Sequence, residues 1–274
     1  MKRKLLVISL LSLILFNHAY SQENNKSNFN IWGSGTTFKL DVTTDSIILG
    51  TGAALNLAWL TFDKIIKVDD EVFNPLDLNI NSINGFDRTF MNPYSKTLDT
   101  MGDITLFAAI ASPLILALTP SEEWLTIGTM YAESLMFANG IKELLKLSVH
   151  RPRPYMYYEN YPAEKVFDGD WNDSFPSGHT SFAFASATFC SYVYAKYFPD
   201  GWGKWVVSAS AYSLAIATAT FRMLSGNHFA TDVLTGALIG SLCGFLIPWL
   251  HTVNISSGTQ ISATPAGFQL AIKL

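Results

Sequence analysis

The chain has 274 residues, which is enough for one ordinary domain or one compact bundle of membrane helices. Its formal net charge of −4 provides no basic surface of the kind that nucleic acids bind, so a nucleic-acid partner is excluded. Charged residues make up 15% of the chain and hydrophobic residues 49%, and this charge content lies well below the roughly 25% of typical soluble domains. The composition therefore favours a membrane protein.

Residues 1–21 are predicted to be a secretory signal peptide. A basic start, "MKRK", precedes the short apolar run "LLVISLLSLILF", and the small residues of "AYS" before Gln22 offer a cleavage site. An uncleaved anchor helix is the alternative. In both cases the chain enters or crosses a membrane, in a manner typical of a bacterial protein, and residues 22–45 form an exported linker.

Six apolar segments follow, and several approach the roughly 20 residues that span a bilayer. They are predicted at 46–62, 103–119, 124–146, 179–198, 204–223 and 232–250. The first is the weakest because Gly50, Gly52 and Asn56 interrupt it, so we expect it to lie along the bundle or pack on it. Small residues recur in runs such as "GALIGSLCG", and these let membrane helices approach closely. The predicted fold class is all-α: a multi-helix, membrane-associated bundle over residues 46–252 with its active site at one end.

The tail, residues 253–274, alternates apolar and polar positions near its end, which predicts a possible short terminal strand. The two cysteines, Cys190 and Cys243, each lie inside an apolar segment with no metal-binding or redox spacing, so we interpret both as packing residues.

Whether the first segment, 46–62, crosses the membrane decides which side the connections after residues 146 and 223 face. If residue 22 is outside and every segment spans, the connections after residues 146 and 223 face the cytoplasm. If the first segment does not span, they face outside. We predict the second arrangement, in a bacterial inner membrane with the active site toward the periplasm. A soluble periplasmic protein is the alternative.

Ionisable residues are scarce in the apolar part of the chain, yet they cluster at the ends of three segments. Lys146 and Arg153 lie at the end of the third segment, where Pro152 and Pro154 must end the helix because proline lacks an amide donor and clashes with the preceding turn. The second cluster begins the next segment, and the third lies between the last two. Their members are Ser177, Gly178 and His179 in the second cluster, and Arg222, His228 and Asp232 in the third.

Up-and-down packing of successive helices would bring these three clusters to one face of the bundle. Lys146, Arg153 and Arg222 are three cations that suit a phosphate dianion, and the planar fork of arginine matches phosphate oxygens. Gly178 begins a helix, where free N–H groups and the helix dipole favour an anion. Ser177 can donate its hydroxyl to the same oxygens.

His228 and Asp232 are four residues apart and share a face if they are helical. A carboxylate beside an imidazole fixes its tautomer, which makes His228 a good nucleophile toward phosphorus. A phosphohistidine intermediate would form, and water would then hydrolyse it. His179 could protonate the leaving oxygen as a general acid. No further acidic cluster or paired-histidine spacing accompanies these residues, so neither a metal nor another cofactor is required.

Taken in order, Lys-x6-Arg-Pro, Pro-Ser-Gly-His and Arg-x5-His-x3-Asp resemble the three motifs of the type-2 phosphatidic-acid phosphatase superfamily. That superfamily includes bacterial lipid-phosphate phosphatases, soluble bacterial acid phosphatases and vanadium haloperoxidases. The resemblance covers roughly residues 100–250. Each motif alone is weak, whereas all three in this order and spacing, at helix ends, are specific.

The resemblance implies a role for each matching position. Phosphate binding is implied for five of them, namely Lys146, Arg153, Ser177, Gly178 and Arg222. His179 would be the general acid, His228 the nucleophile and Asp232 its partner. One departure is Phe221, because the family usually has a small residue, often serine, before the third-motif arginine. This change leaves every catalytic group in place but puts the local phosphate contacts in doubt.

The expected function is hydrolysis of a lipid phosphate or diphosphate monoester at the membrane. A secreted, nonspecific acid phosphatase acting on soluble esters is the first alternative. A vanadium haloperoxidase and a membrane protein that only binds phosphate are further ones. The expected partners are a lipid phosphate substrate and a membrane, and the oligomeric state stays open.

Several charged residues near the motifs are expected to play no part in catalysis. Arg151 is interpreted as a solvated or headgroup contact, and Glu133 as a residue that faces the bundle interior because charge is costly inside an apolar segment. Three acidic residues of the connecting loop are interpreted as solvated, namely Asp168, Asp170 and Asp173.

Overall fold

A computed structural model describes residues 37–62 and 78–252, together with the backbone of two strands between residues 259 and 272. The predicted signal peptide, 1–21, and most of the predicted linker lie outside the described residues. The α-helices within the described part are α1 (Val42–Leu60), α2 (Gly85–Thr89), α3 (Lys96–Ala111), α4 (Trp124–Val149), α5 (Ala163–Phe167), α6 (Gly178–Tyr197), α7 (Gly203–Leu224) and α8 (Ala230–Leu250). Short 3-10 helices cover Ile80–Ser82, Ser112–Leu118, Ser121–Glu123, Pro154–Tyr157 and Asp170–Asn172.

Six long helices, α1, α3, α4, α6, α7 and α8, form the bundle, and the all-α fold class is confirmed. From α3 onward they alternate in direction. One end of the bundle, which we call the loop end, carries the long connection between α4 and α6 and the turn between α7 and α8. Helix α1 runs parallel to α4, since Gly52 faces Met136 and, further along both helices, Leu55 faces Gly140. The weakest apolar segment thus packs on the bundle, as predicted.

Helix boundaries at the loop end follow from their capping residues. Helix α4 ends at Val149, and His150 adopts a left-handed conformation (φ 43°) just before the prolines that were predicted to end the helix. Helix α3 begins at Lys96, earlier than the segment predicted from residue 103, because the Ser95 side chain caps it by accepting from the Leu98 amide. The earlier start adds a polar first turn to α3 at the loop end.

Helices α6 and α8 pack closely through a stripe of glycines on α8. A Cβ atom at Gly236 would lie 2.5 Å from the carbonyl oxygen of Ser177, and one at Gly240 would overlap the carbonyl oxygen of Ser181. Gly244 meets Ala185 in the same way. The small residues of "GALIGSLCG" therefore permit the close approach that the sequence predicted.

Two stretches of the described chain are long and apolar enough to cross a membrane, Lys96–Leu118 and Ala230–Leu250. Both present large apolar side chains outward, such as Phe107, Leu114 and Leu238.

The C-terminal tail forms an antiparallel hairpin of β1 (Thr259–Thr264) and β2 (Gly267–Ile272), where one short strand was expected.

Both cysteines, Cys190 and Cys243, are buried and free, as predicted.

Candidate active site

The loop end brings all the predicted site residues to the same part of the bundle. Lys146 lies in the last turn of α4, and Arg153 follows that helix in the connection. The start of α6 and the turn between α7 and α8 supply the remaining residues, namely Ser177, Gly178, His179, Arg222, His228 and Asp232. Nη1 of Arg153 lies 3.3 Å from Nε2 of His228, and Asp103 contacts both His179 and Arg222, so the two histidines lie around one cationic centre.

The tautomer of His228 is fixed by two contacts. Its Nδ1 lies 2.7 Å from the backbone carbonyl oxygen of Ser174, which can only accept, so Nδ1 carries the proton. Its Nε2 lies 3.3 Å from Nη1 of Arg153, which can only donate, so Nε2 is the acceptor. Both contacts require the same neutral imidazole, with the lone pair of Nε2 directed toward the Arg153 guanidinium.

The environment of His228 keeps this imidazole neutral. Burial is the main cause that lowers the pKa of His228 well below its usual value of 6.5, and the positive charges of Arg153, Arg222 and Lys146 act in the same direction. The hydrogen bond to the Ser174 carbonyl opposes them without overcoming them. His228 is therefore an unprotonated imidazole surrounded by cations.

The position of Asp232 differs from the direct pair that the sequence predicted. Its Oδ2 lies 3.9 Å from Nδ1 of His228, beyond hydrogen-bond distance, because the Ser174 carbonyl already occupies that nitrogen. Oδ2 accepts instead from the Ser174 hydroxyl at 2.5 Å and from the Phe229 amide at 2.8 Å. Asp232 thus holds the two segments that flank His228, and it acts on the imidazole through Ser174.

Arg151 is a partly buried link in the site, where a solvated residue or a headgroup contact was expected. Its guanidinium donates to Asp232 at 2.5 Å and to Asp87 at 2.7 Å, and it lies 3.9 Å from the ring centroid of Phe229. The Asp87 carboxylate also accepts from the amide and hydroxyl of Thr231. Burial opposes ionisation, but hydrogen bonds from Arg151, Thr231 and Asn84 outweigh it and lower the pKa of Asp87. The ionised Asp87 anchors the start of α8.

The expectation that Asp170 is solvated is also wrong, because Asp170 pairs with Arg153, the arginine predicted to bind phosphate. Its carboxylate accepts from Nη2 of Arg153 at 2.5 Å, and its backbone carbonyl accepts from Nε at 2.7 Å. Burial would raise the pKa of Asp170, yet the charges of Arg153 and Lys165 outweigh burial and lower it. This carboxylate fixes the guanidinium with Nη1 directed toward His228.

Asp99 and Asp103 of α3 are two site residues that the sequence analysis missed. Asp99 forms an ion pair with Nη1 of Arg222, and Asp103 lies 3.6 Å from the same atom. The other important contact of Asp103 is to Nε2 of His179, at 2.8 Å. A spacing of four residues places both carboxylates on one helix face, and that spacing was the available signal.

Lys165 was missed as well, and no motif marks it. Its ammonium lies 3.3 Å from a carboxylate oxygen of Asp99 and 3.7 Å from one of Asp170. Lys165 therefore links Asp99, which pairs with Arg222, to Asp170, which pairs with Arg153.

Ser177 caps α6 rather than exposing a free hydroxyl. The residue is fully buried, and its Oγ contacts the amide and hydroxyl of Thr180, at 3.5 and 3.0 Å. The predicted donation to phosphate would require this hydroxyl to turn. A Cβ at Gly178 would lie 3.2–3.5 Å from the side chain of Lys142, so this glycine leaves room for that lysine, and its role toward phosphate stays a prediction.

In the free protein, the cations that a phosphate would need are paired with carboxylates. Arg222 is paired with Asp99 and lies near Asp103, and Arg153 is paired with Asp170. Asp103 is the most replaceable of these partners because half of its side chain is exposed. The arrangement can exchange a carboxylate for a phosphoryl group beside an unprotonated imidazole, which is the requirement for phosphoryl transfer to His228.

Comparison with known proteins finds similarity to one family of phosphatases. The model of the PAP2 superfamily matches residues 128–256, which include all three motifs. A lipid A 1-phosphatase from Porphyromonas gingivalis is 40% identical over 30% of this chain and 17% of its own length. Lipid phosphate phosphatase gamma from Arabidopsis thaliana is 28% identical over 46% of this chain and 54% of its own length. The bacitracin transport permease protein BcrC from Bacillus licheniformis is 29% identical over 63% of this chain and 80% of its own length.

The chain thus spans less than two thirds of the length of the first two of these relatives.

Two solved structures are also similar. LpxE from Aquifex aeolicus is 23% identical, with a TM-score of 0.41, over 62% of this chain and 98% of that one. A PAP2-type phosphatidylglycerolphosphate phosphatase from Bacillus subtilis is 18% identical, with a TM-score of 0.38, over 89% of this chain and 94% of that one. In its three motifs and over residues 128–256, the chain is therefore similar to the PAP2 superfamily.

Proposed function

We propose that the protein is a metal-independent phosphatase that hydrolyses a lipid phosphate or diphosphate monoester through a phosphohistidine intermediate. The observation that carries this proposal is the state of His228. Its Nδ1 proton is held by the Ser174 carbonyl, and its Nε2 lone pair faces the guanidinium of Arg153. A nucleophilic nitrogen and a phosphate-binding cation therefore lie side by side.

In the first step, Nε2 of His228 would attack phosphorus and form an N–P bond while the bond from phosphorus to the leaving oxygen breaks. Arg153 would turn its Nη1 from Nε2 to a phosphate oxygen, and Arg222 would bind another oxygen in place of Asp103. Fixed cations of this kind stabilise the charge that develops on the equatorial oxygens. His179 would give a proton to the leaving oxygen.

In the second step, a water molecule would attack the phosphorus of the phosphohistidine. His179, now neutral, would take a proton from that water as the O–P bond forms and the N–P bond breaks. Inorganic phosphate is released, and both histidines return to their starting states. Burial and the charge of Arg222 lower the pKa of His179 to about 4, and Asp103, at 2.8 Å from its Nε2, opposes this shift. A phosphate dianion bound to Arg222 would further favour the protonated imidazole that the acid step needs.

A lipid substrate is supported by where the site lies. Helices α3 and α8 both begin at the loop end, and both carry outward-facing apolar side chains such as Ile104, Leu234 and Leu238. A substrate embedded in a bilayer would present its phosphate at the membrane surface beside these helices. The named activities of the phosphatase relatives are compatible with such a substrate.

The membrane orientation that we propose places the loop end at the periplasmic face of a bacterial inner membrane. Helix α1 begins at the opposite end, because it runs parallel to α4. A periplasmic active site therefore requires that the residues before Asp41 lie on the cytoplasmic side, which is incompatible with a signal peptide that delivers residue 22 to the periplasm. Labelling of single cysteines at exposed positions 85 and 200 with an impermeant maleimide, in intact cells and in lysed cells, distinguishes the sides. Labelling of position 85 only after lysis would contradict the orientation.

The alternative function is a secreted, nonspecific acid phosphatase acting on soluble esters. Helices α4 and α6 carry many polar and half-buried positions, and neither is among the two described stretches that are long and apolar enough to cross a membrane. This observation favours the alternative function. A soluble enzyme would appear in osmotic-shock fluid without detergent, whereas the membrane enzyme would require detergent for extraction. A membrane protein that only binds phosphate would retain phosphate affinity without turnover.

The test compares phosphate release from a lipid panel with release from p-nitrophenyl phosphate. The panel contains phosphatidic acid, phosphatidylglycerol phosphate, an isoprenyl diphosphate and lipid A, each in mixed micelles. We expect at least one lipid to have a higher kcat/KM than the soluble ester. No release from any lipid, together with efficient hydrolysis of the soluble ester, would replace the proposal with the alternative function.

A further inference from the structure

Three ionisable side chains converge at the end of the bundle opposite the loop end. Asp45 lies in the first turn of α1, Glu133 lies within α4, and His251 directly follows α8. Their ligand atoms all lie within 4.8 Å of one another. Nε2 of His251 is 2.9 Å from Oδ1 of Asp45 and 3.5 Å from Oε2 of Glu133. Since α8 spans 21 residues, this cluster is about 30 Å from the catalytic turn.

The orientation of His251 determines which of its nitrogens faces the carboxylates. Its Nδ1 lies 2.8 Å from the backbone carbonyl of Ile247, which can only accept, so Nδ1 carries a proton. In the neutral imidazole, Nε2 then presents a lone pair to two carboxylates. Repulsion among these three electron-rich atoms is relieved by a positive charge between them, which either a proton on Nε2 or a bound metal ion supplies.

Glu133 adds to this need for a positive charge. Its side chain is fully buried, and neither carboxylate oxygen accepts a hydrogen bond within the described part of the chain. An ionised carboxylate that is buried without a partner costs several kcal/mol, and it persists in proteins when it is paired or when it binds a metal. The interior position that the sequence predicted for Glu133 is confirmed, and the unpartnered oxygens point to a ligand.

We propose that Asp45, Glu133 and His251 bind a transition-metal dication of the zinc type. One imidazole nitrogen and two carboxylate oxygens are ligands that zinc accepts, whereas magnesium and calcium select oxygen ligands. Donation from Nδ1 to a backbone carbonyl is the outer-shell contact that orients histidine ligands of metals. Three protein ligands leave one position for water.

The role of this site would be structural. The three ligands come from α1, α4 and α8, so a bound ion would join the first and last long helices to the middle of the bundle. Backbone contacts reinforce the same place, because the Lys39 amide donates to the His251 carbonyl at 2.9 Å and Phe38 pairs with Thr252. The ion would stabilise the bundle from the end that takes no part in catalysis, and the proposal does not depend on the phosphatase reaction.

The experiment uses the full chain in detergent, treated with EDTA and then titrated with ZnCl2 by isothermal calorimetry, with the melting temperature measured in parallel. We expect one zinc ion per chain and a higher melting temperature when zinc is bound. Glu133→Gln and His251→Ala should each weaken zinc binding by at least ~100-fold. Glu122→Gln removes an exposed carboxylate near the start of the same helix as Glu133, and it should bind zinc as the parent does.

Two further measurements keep the result decisive. Substitution with Co²⁺ in the parent should give visible absorption typical of a coordinated ion, so the answer does not depend on the folding of a variant. His228→Ala should retain the zinc ion, because the proposed site excludes the catalytic histidines. Absence of stoichiometric zinc binding in the parent would overturn the proposal and leave a shared proton as the cation. Binding retained in His251→Ala, or lost in His228→Ala, would also overturn it.

Discussion

Nη1 of Arg151 lies 2.5 Å from Oδ1 of Asp232, and this ion pair joins the connection after α4 to the first turn of α8. The same guanidinium binds Asp87, so one arginine serves two fully buried carboxylates. His228 lies four residues before Asp232, and its ring depends on Ser174, whose hydroxyl binds Asp232. The geometry of His228, the proposed nucleophile, therefore depends on a residue outside the three motifs.

Replacement of Arg151 by alanine should destabilise the protein strongly. Two buried carboxylates would lose their cation, and such a loss costs about 3–5 kcal/mol of unfolding free energy. We also expect kcat to fall because Asp232 would no longer fix the turn that holds His228. Thermal unfolding in detergent and phosphate release measure the two effects.

Arg88→Ala is the matched control, because Arg88 is exposed and donates to the Ile83 carbonyl at 2.8 Å. Its loss should cost only about 1 kcal/mol. Equal melting temperatures for the two variants would show that Arg151 is a surface residue after all.

Asp103→Asn should separate kcat from KM. The carboxylate supports protonated His179 and competes with phosphate for Arg222, so its removal should lower kcat by roughly 10–100-fold without raising KM. The loss should be smaller for p-nitrophenyl phosphate, whose leaving group needs little protonation. Asp168→Asn, a change of an exposed loop residue, should leave both constants unchanged. An equal loss for both leaving groups would contradict the assignment of Asp103 to the acid.

Gly240→Ala should disrupt the contact between α6 and α8. The added methyl group would overlap the Ser181 carbonyl and lie 2.8 Å from the Ala185 amide nitrogen, so the helices must separate. Overpacking of this kind costs roughly 1–3 kcal/mol, and here it also displaces the two helices that flank the site. Gly128→Ala is the control, because nothing lies within 4 Å of that added methyl group and helix propensity should stabilise it by up to ~1 kcal/mol. Equal melting temperatures would refute the close packing.

The pH dependence of kcat/KM should report His228. Because the pKa of His228 is held well below 6.5 by burial and by three nearby cations, the neutral nucleophile persists as pH falls through 6.5. Activity should be lost only below the depressed pKa, when Nε2 becomes protonated. Lys146→Met removes one of the cations that lower this pKa, so the acidic limb of kcat/KM should move to higher pH. An unchanged limb, or one that moves to lower pH, would exclude His228 as the titrating group.

The helices and the motif residues could be predicted from the sequence because their signals are local. Apolar runs marked the long helices, and the prolines after Lys146 marked the end of α4. The three motifs lie at helix ends, so alternating helix directions were sufficient to place Arg153, His228 and Arg222 together. The chemistry of the cationic centre required no knowledge of the loops.

The partners of those residues could not be predicted in the same way. The carbonyl of Ser174 that fixes His228 is a backbone atom, and a backbone contact leaves no trace in residue type. Asp99, Asp103 and Lys165 reach the site from elements outside the motifs, and only tertiary packing brings them to the arginines. Asp170 was interpreted as solvated because the sequence of a long polar loop does not show which of its carboxylates turns inward.

The central claim is that His228 becomes phosphorylated during turnover, and rapid quenching with a 32P-labelled lipid phosphate tests it most directly. The parent should accumulate a phosphoenzyme that is stable to alkali and labile to acid, as a phosphoramidate is, at position 228 by mass spectrometry. His228→Ala should form none and lose at least ~10³-fold in kcat, while it still binds inorganic phosphate. Turnover that persists in His228→Ala, or a phosphoryl group found on another residue, would contradict the account.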